Sequence, residues 1–260
     1  MKIIFLTQKD ILYLPELFKT VCKVLKDNIV CIVACPPMGL HGGPLKGFIR
    51  NFRLFGMKGT FIIGMHILKA KLWGCLSPQG PEGPFYSIEQ VAKVFSVPYY
   101  EVAQIEDREF YALLDVYQPD FLASVSFTQI IGKNIRDRFP MGCVNLHNGP
   151  LPRYRGLLPT FWVLRNGETK TAATVHDLDE KLDDGDILVQ REISIDKEDT
   201  WDSLMRKTKA ASAHALLESV QQIKAGTVNR KSNPEEDATY YSFPTASDRR
   251  AFLATGRRFF

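Results

Sequence analysis

Apolar and polar positions follow two periods along this chain, and their order predicts a fold class. Lys2–Leu6 and Ile29–Ala34 are short, nearly continuous apolar runs of the kind that form buried strands. Between them, Leu12–Leu25 carries apolar residues at helical spacing. Strand, helix, strand predicts a parallel sheet. The same alternation continues with a short strand at Tyr99–Val102, entered through Pro98, a helix at Asp107–Tyr117 and strands at Phe121–Ser126 and Cys143–His147. A proline-rich loop follows, then a short helix beginning at Thr160–Arg165 and strands at Thr171–His176 and Ile187–Ile195. Thr200 is a good N-cap for a helix running through Ile223, with Trp201, Leu204, Thr208, Ala211 and Ala215 on one stripe. The expected fold is α/β, an open and mostly parallel sheet flanked by helices.

Two segments depart from this rhythm. Residues 44–75 mix Phe, Ile, Leu and Trp with Lys46, Arg50, Arg53, Lys58, Lys69 and Lys71, and contain no acid. Two readings stand: helices packed on the sheet or in a homodimer interface, or a basic amphipathic surface in peripheral contact with anionic lipid. Ser77–Tyr86, rich in Pro and Gly, reads as a loop. No G-x-G-x-x-G follows the first strand, and Gly39, Gly42 and Gly43 have the wrong place and spacing for a dinucleotide fingerprint.

Composition narrows the function. With 45% apolar and 24% charged residues, the chain of 260 can bury a sizeable core. A formal charge of +4 suits an anionic substrate and falls short of a nucleic-acid footprint. Five cysteines without a C-x-x-C point to a reducing compartment rather than to disulfides or zinc. The opening MKIIFLTQKD is too soon interrupted for a signal peptide, and no window has ~18 uninterrupted apolar residues. A cytoplasmic protein is expected, peripheral to a membrane if residues 44–75 touch lipid.

Chemistry concentrates in two places. In CVNLHNGPLPRYRG (143–156), Asn145 and His147 lie two apart on a strand, so both side chains share a face, and the prolines then stop ladder pairing. In HDLDEKLDDGD (176–186), glycine within an acidic stretch marks a turn between two strands. A carboxylate there could reach His147 and orient its ring, or the turn could be a solvated loop.

Together these segments, with Pro159, Trp162 and Asn166-Gly167-Glu168 between them, resemble the N10-formyltetrahydrofolate-dependent formyltransferase family, which includes methionyl-tRNA formyltransferase, glycinamide ribonucleotide transformylase and the amino-sugar N-formyltransferases. The likeness is good over roughly 110–225 and rests on strand–helix order before that. It implies a Rossmann-like formyltransferase fold, with a catalytic domain at 1–225, a helical insertion at about 36–86 and a short C-terminal extension at 226–260. The catalytic residues it implies are Asn145, His147 and Asp183. An amine would attack the formyl carbon, Asn145 would donate to the developing oxyanion, His147 would manage the proton, and Asp183 would support the imidazolium and order a water. No metal is required, and no metal-ligand spacing occurs. The formyl donor, N10-formyltetrahydrofolate, would bind at the C-terminal ends of the strands, its pterin against Phe127, Gln129, Ile130 and Ile131 on one side and Leu182, Asp184 and Asp186 on the other. Arg153 and Arg155 are candidates for a substrate phosphate or carboxylate, Arg155 equally for a structural salt bridge, and His176 for substrate contact or a locally satisfied strand end. His41, His66 and His214 read as surface or packing residues, and Trp162 and Trp201 as core anchors. Gly149 stands where the family commonly has serine, Pro150 replaces a usual leucine, and Ala172 replaces a glycine often seen before the V-H strand.

For the acceptor, a small-molecule amine is expected, most simply an amino sugar linked to a nucleotide or lipid. Over these 260 residues neither the C-terminal barrel of methionyl-tRNA formyltransferase nor the N-terminal regulatory module of formyltetrahydrofolate hydrolase is expected. Both remain alternatives, and a non-enzymatic binding module is disfavoured by the intact Asn/His/Asp set.

Overall fold

The computed structural model describes residues 1–37, 43–76 and 80–260; the expectations for Gly39, His41, Gly42 and Ser77 lie outside these. In chain order the elements are β1 (Ile3–Gln8), α1 (Leu14–Leu25), β2 (Ile29–Cys35), α2 (Pro44–Leu76), α3 (Ile88–Val94), β3 (Tyr99–Glu101), α4 (Arg108–Tyr117) and β4 (Phe121–Val125). They continue with α5 (Lys133–Arg136), β5 (Cys143–His147), β6 (Arg155–Gly156), α6 (Pro159–Arg165), β7 (Lys170–Asp177), β8 (Ile187–Ser194), α7 (Trp201–Ala225), β9 (Tyr240–Tyr241) and α8 (Ala246–Ala254).

Seven strands form one sheet in the order β3-β2-β1-β4-β5-β7-β8, and the two-residue β6 and β9 pair in parallel beside it. The first five strands are parallel, and the buried Ile, Val, Leu and Phe of β1, β2, β4 and β5 suit strands covered on both faces, with the short, partly exposed β3 at the edge. From β5 the direction changes: β7 is antiparallel to β5, and β8 to β7. One face of the sheet is covered by α1, α3 and α7 through a core containing Phe5, Phe18, Val21, Val91 and Leu216. Ile4, Leu6, Val33, Phe110 and Ile135 fill the other face. A third cluster joins Leu54 and Phe55 of α2, Phe161 and Trp162 of α6, Trp201 and the C-terminal Phe252 and Phe259, which makes Trp162 and Trp201 core anchors as expected. Of the insertion, α2 consists of two helical segments that meet at a sharp kink at Gly56 (φ 68°, ψ −176°).

The C-terminal residues are tied to the loop after β5. Arg155 N–H donates to the Thr239 carbonyl and Leu157 N–H to that of Tyr241, both at 2.8 Å. This pairing fixes the loop that runs over the end of β5.

Candidate active site

Strand β5 ends on the residues singled out above. Asn145 pairs with His176 and His147 with Thr174 across the antiparallel β5–β7 ladder, so β7 sets a second histidine beside Asn145. The segment between β7 and β8 doubles back: Leu178 N–H donates to the Cys143 carbonyl at 2.9 Å and Asp177 N–H to that of Asp186 at 2.9 Å. Gly185 is required here, because a Cβ would sit on the Asp177 carbonyl oxygen. Asp183 takes the left-handed region (φ 52°), which aspartate tolerates better than most residues. Asn233 clamps the turn from outside, its amide donating to the carbonyls of Asp183 (2.9 Å) and Gly185 (3.0 Å).

The turn brings the Asp183 carboxylate to the centre of a buried polar cluster. Oδ2 lies 3.5 Å from His147 Nδ1 and accepts the Gly156 N–H at 2.8 Å. Oδ1 lies 3.5 Å from His176 Nε2 and 3.3 Å from the Asn145 amide nitrogen, which also donates to His176 Nε2 at 3.1 Å. The network assigns the tautomers. His147 Nε2 lies 2.8 Å from the Tyr154 carbonyl, so Nε2 carries the proton and the free lone pair is on Nδ1, toward Asp183. His176 Nδ1 lies 2.8 Å from the Asp177 carbonyl, which leaves Nε2 to accept from Asn145.

Burial sets the charge states. Desolvation is the largest influence on His147 and pushes its pKa below the ordinary value; Asp183 opposes this, while His176 and Lys209 reinforce it. Burial alone would raise the Asp183 carboxyl, but the positive charge that His147 or His176 carries once protonated, and the Gly156 N–H, outweigh it and hold Asp183 well below the usual carboxylate range. The resting pair is therefore a neutral imidazole beside an ionised carboxylate. That arrangement can take a proton at Nδ1 and hold it as an ion pair.

Gly149 now has a reason. A Cβ at this position would lie 2.8 Å from His147 Nε2 and 3.0 Å from Pro159 Cβ, so the serine common elsewhere in the family would displace this ring. Thr174 donates to the Gly149 carbonyl at 2.7 Å and Gln190 to that of Leu151 at 2.9 Å, which pins the proline loop to β7 and β8.

The remaining candidates divide. Arg155 is not available to a substrate, and that reading is corrected. Its side chain is fully buried, with Nη1 on Asp184 (2.5 Å), Glu235 (2.7 Å) and Tyr240 (2.6 Å), and Nη2 on the Asn233 carbonyl and side chain (2.9 and 3.0 Å). It is the structural ion pair that the sequence left as an equal alternative. Arg153 is exposed and meets Glu168 at 3.2 Å. His176 is buried inside the cluster and positions Asn145; it does not face open solvent.

For the formyl donor, Ile130 and Leu182 are exposed apolar side chains on the two expected loops, whereas Ile131 is buried in the core and Phe127 packs at its edge. Gln129 is tied to Ile105 N–H (3.0 Å) and the Ala103 carbonyl (2.9 Å), Asp184 is held by Arg155, and Asp186 is exposed. The Gln129 and Asp184 side chains are thus engaged within the protein. Among the described residues, the N–H groups of 127–131 and 182–184 donate to no protein acceptor. Free main-chain donors flanked by exposed aliphatic groups suit a flat heterocycle with a polar edge. Among the described residues no group of three or more His, Cys, Asp or Glu is arranged to hold a metal ion.

One buried cation was not foreseen. Lys209 of α7 donates to Ser126 Oγ at 2.6 Å, just past β4, and desolvation pushes its pKa down to about 8. Its charge opposes protonation of His147. The signal was present in the sequence: Lys209 shares the i, i+4, i+7, i+11 stripe of Ala213, Leu216 and Val220, where an amphipathic helix normally has no charge. Three residues further along, on the same side of the helix, Ser212 donates to Asn148 Oδ1 at 2.9 Å.

Residues 79–220, more than half of the chain, match the family model described as formyl transferase. Among curated proteins the chain is similar to the methionyl-tRNA formyltransferase of Syntrophus aciditrophicus (strain SB), 36% identical over 58% of this chain and 48% of that protein. The enzyme of the same name from Clostridioides difficile (strain 630) is 33% identical over 59% of this chain and 50% of the relative. The chain spans about half the length of the curated relatives it matches. Among solved structures it resembles WlaRD, a sugar 3N-formyl transferase crystallised with dTDP and 5-N-formyl-THF, with a TM-score of 0.57, 17% identity and coverage of 93% of this chain and 69% of that one. At that identity the likeness is one of fold. The formyltransferase PseJ from Anoxybacillus kamchatkensis, in complex with UDP-4,6-dideoxy-4-formamido-L-AltNAc and tetrahydrofolate, gives a TM-score of 0.50 at 25% identity, covering 62% of this chain and 80% of that one.

Proposed function

Because the chain belongs to the formyl transferase family, we propose that it moves a formyl group from N10-formyltetrahydrofolate to a primary amine. The observation that carries this reading is the convergence of Asn145, His147 and Asp183, from segments far apart in sequence, on one buried cluster with a neutral imidazole beside an ionised carboxylate. The donor, bound against the main chain of 127–131 and 182–184, supplies an electrophilic carbonyl carbon. His147 Nδ1 accepts the proton that the attacking amine must lose and returns it to N10 as the formyl C–N10 bond breaks, so that tetrahydrofolate leaves neutral. Asp183, 3.5 Å away, stabilises the resulting imidazolium. Asn145 is placed to offer an amide N–H to the carbonyl oxygen as charge grows there, and to do so it turns one N–H away from His176 or Asp183. Tyr154 keeps the ring in the right tautomer throughout.

Two acceptors remain in view. Relatives named methionyl-tRNA formyltransferase, at 33 to 36% identity, support a tRNA-linked methionine above the amino sugar expected from the sequence. The amino-sugar reading keeps one support, the 25% identical enzyme solved with a formylated UDP-sugar. Titration calorimetry with 5-formyltetrahydrofolate tests the donor, and absence of binding removes the reading. Single-turnover assays with formyl donor and either methionyl-tRNA or a panel of nucleotide-linked amino sugars decide the acceptor.

A further inference from the structure

The outer face of α2 has no role in the chemistry above. Its inner side packs well: Leu54 and Phe55 are buried, with Phe55 against Trp201, Phe259 and Phe260, and the Gly74 carbonyl accepts from Gln90 at 2.8 Å. Beyond the kink, Met57, Phe61, Met65, Leu68, Leu72 and Leu76 recur every three or four residues and therefore form one stripe. All are exposed, from 48% for Met65 to 78% for Met57. Before the kink, Leu45, Phe48, Ile49 and Phe52 do the same, the two Phe rings stacked 6.2 Å apart. Soluble monomers rarely leave a contiguous apolar face of this extent in water without a use for it.

Charge selects what covers that face. Residues 44–76 contain Lys46, Arg50, Arg53, Lys58, Lys69 and Lys71 and no Asp or Glu. Among the described residues, Lys46, Arg53, Lys58, Lys69 and Lys71 form no ion pair. Lys58 and Lys69 border the apolar stripe on one side and Lys71 on the other, where their stems can cover apolar surface and their ammonium groups reach outward. A second copy seated on the same face would oppose one basic row to another, which is repulsive. An anionic bilayer offers the complementary charge and an apolar layer beneath it. Among the described residues no helix is long and apolar enough to cross a membrane, so the helix would lie in the interface plane. We propose that α2 is an in-plane anchor that holds the protein on an anionic lipid surface.

Co-sedimentation of the full chain with vesicles tests this. It should pellet at low salt with phosphatidylcholine vesicles containing phosphatidylglycerol, return to the supernatant as salt rises, and ignore pure phosphatidylcholine. Trp73 is 46% exposed while Trp162 and Trp201 are buried. Vesicle binding should therefore shift tryptophan emission to the blue, and Trp73→Phe should remove the shift. Replacing Lys58, Lys69 and Lys71 together by Glu should lower the partition coefficient on the order of 10²-fold or more, with 5-formyltetrahydrofolate affinity unchanged. Wild-type protein that stays in the supernatant with anionic vesicles at low salt overturns the proposal. So does a dimer, seen by sedimentation velocity, that Phe61→Ser with Leu68→Ser dissociates while the vesicles remain unbound.

Discussion

At the residue scale, the chemistry rests on which nitrogen of His147 is free. With Nε2–H on the Tyr154 carbonyl, only Nδ1 can take a proton, and Asp183 faces it. His147→Ala and Asp183→Ala should each lower turnover at least ~10²-fold, and Asn145→Ala by ~10²–10³, with formyl-donor affinity changed far less. Turnover and calorimetry on the same preparations check both halves of that statement. Gly149→Ala probes position alone: its methyl would press on His147 and Pro159. Because a displacement near 1 Å costs about 10²-fold, turnover should fall by that order while the fold, read by circular dichroism, stays intact. A Gly149→Ala enzyme of normal rate would mean that the ring can shift without consequence. Asn145 and His147 were legible because a strand puts i and i+2 on one face. Asp183 needed the family likeness to single it out among six acids. The Tyr154 carbonyl and Gly156 N–H left no trace, since every residue carries them.

Among elements, the turn between β7 and β8 and the residues after α7 act as one unit through Arg155. The guanidinium links Asp184, next to Asp183, to Asn233, Glu235 and Tyr240. Arg155→Met should cost about 2–3 kcal/mol, at the low end for a buried ion network because Glu235 still reaches water. Urea midpoints measure this, and turnover should fall as well, because Asp183 loses the support of its turn. Unchanged midpoint and rate would show that the clamp is incidental. The strands and long helices of the sheet were legible from periodicity to within one or two residues. Reversal at β7 was not, since a short helix does lie between β5 and β7. That helix, α6, spans only seven residues and packs in the third cluster, so it cannot serve as a crossover that returns the chain in parallel. Helix α8 was also missed, although Thr245 and Asp248 form a capping box that the letters T-A-S-D announce.

For the whole molecule, three buried groups make stability depend on pH in one direction. His147 has a folded pKa below ~6.5, so as pH falls through that value the unfolded chain binds the proton first and stability declines. Asp183, depressed further still, contributes stability that is present above ~3.9 and is lost as pH falls toward its folded pKa. Lys209 extends the trend upward: with a folded pKa of about 8 against an ordinary lysine value of 10.5, stability rises between those two values. At neutral pH its buried charge therefore costs on the order of 3 kcal/mol. A fold without a use for that charge would do better with an apolar side chain of the same length. Lys209→Met should accordingly raise the melting temperature at pH 7 and flatten its rise between pH 8 and 10. Turnover should drop, because Ser126 loses its donor and His147 loses a neighbour that keeps it neutral. NMR titration should place the His147 pKa higher in the variant. A variant that is less stable at pH 7 and keeps full turnover would make Lys209 an ordinary packing residue, and the cation at the end of β4 would have no part in the site.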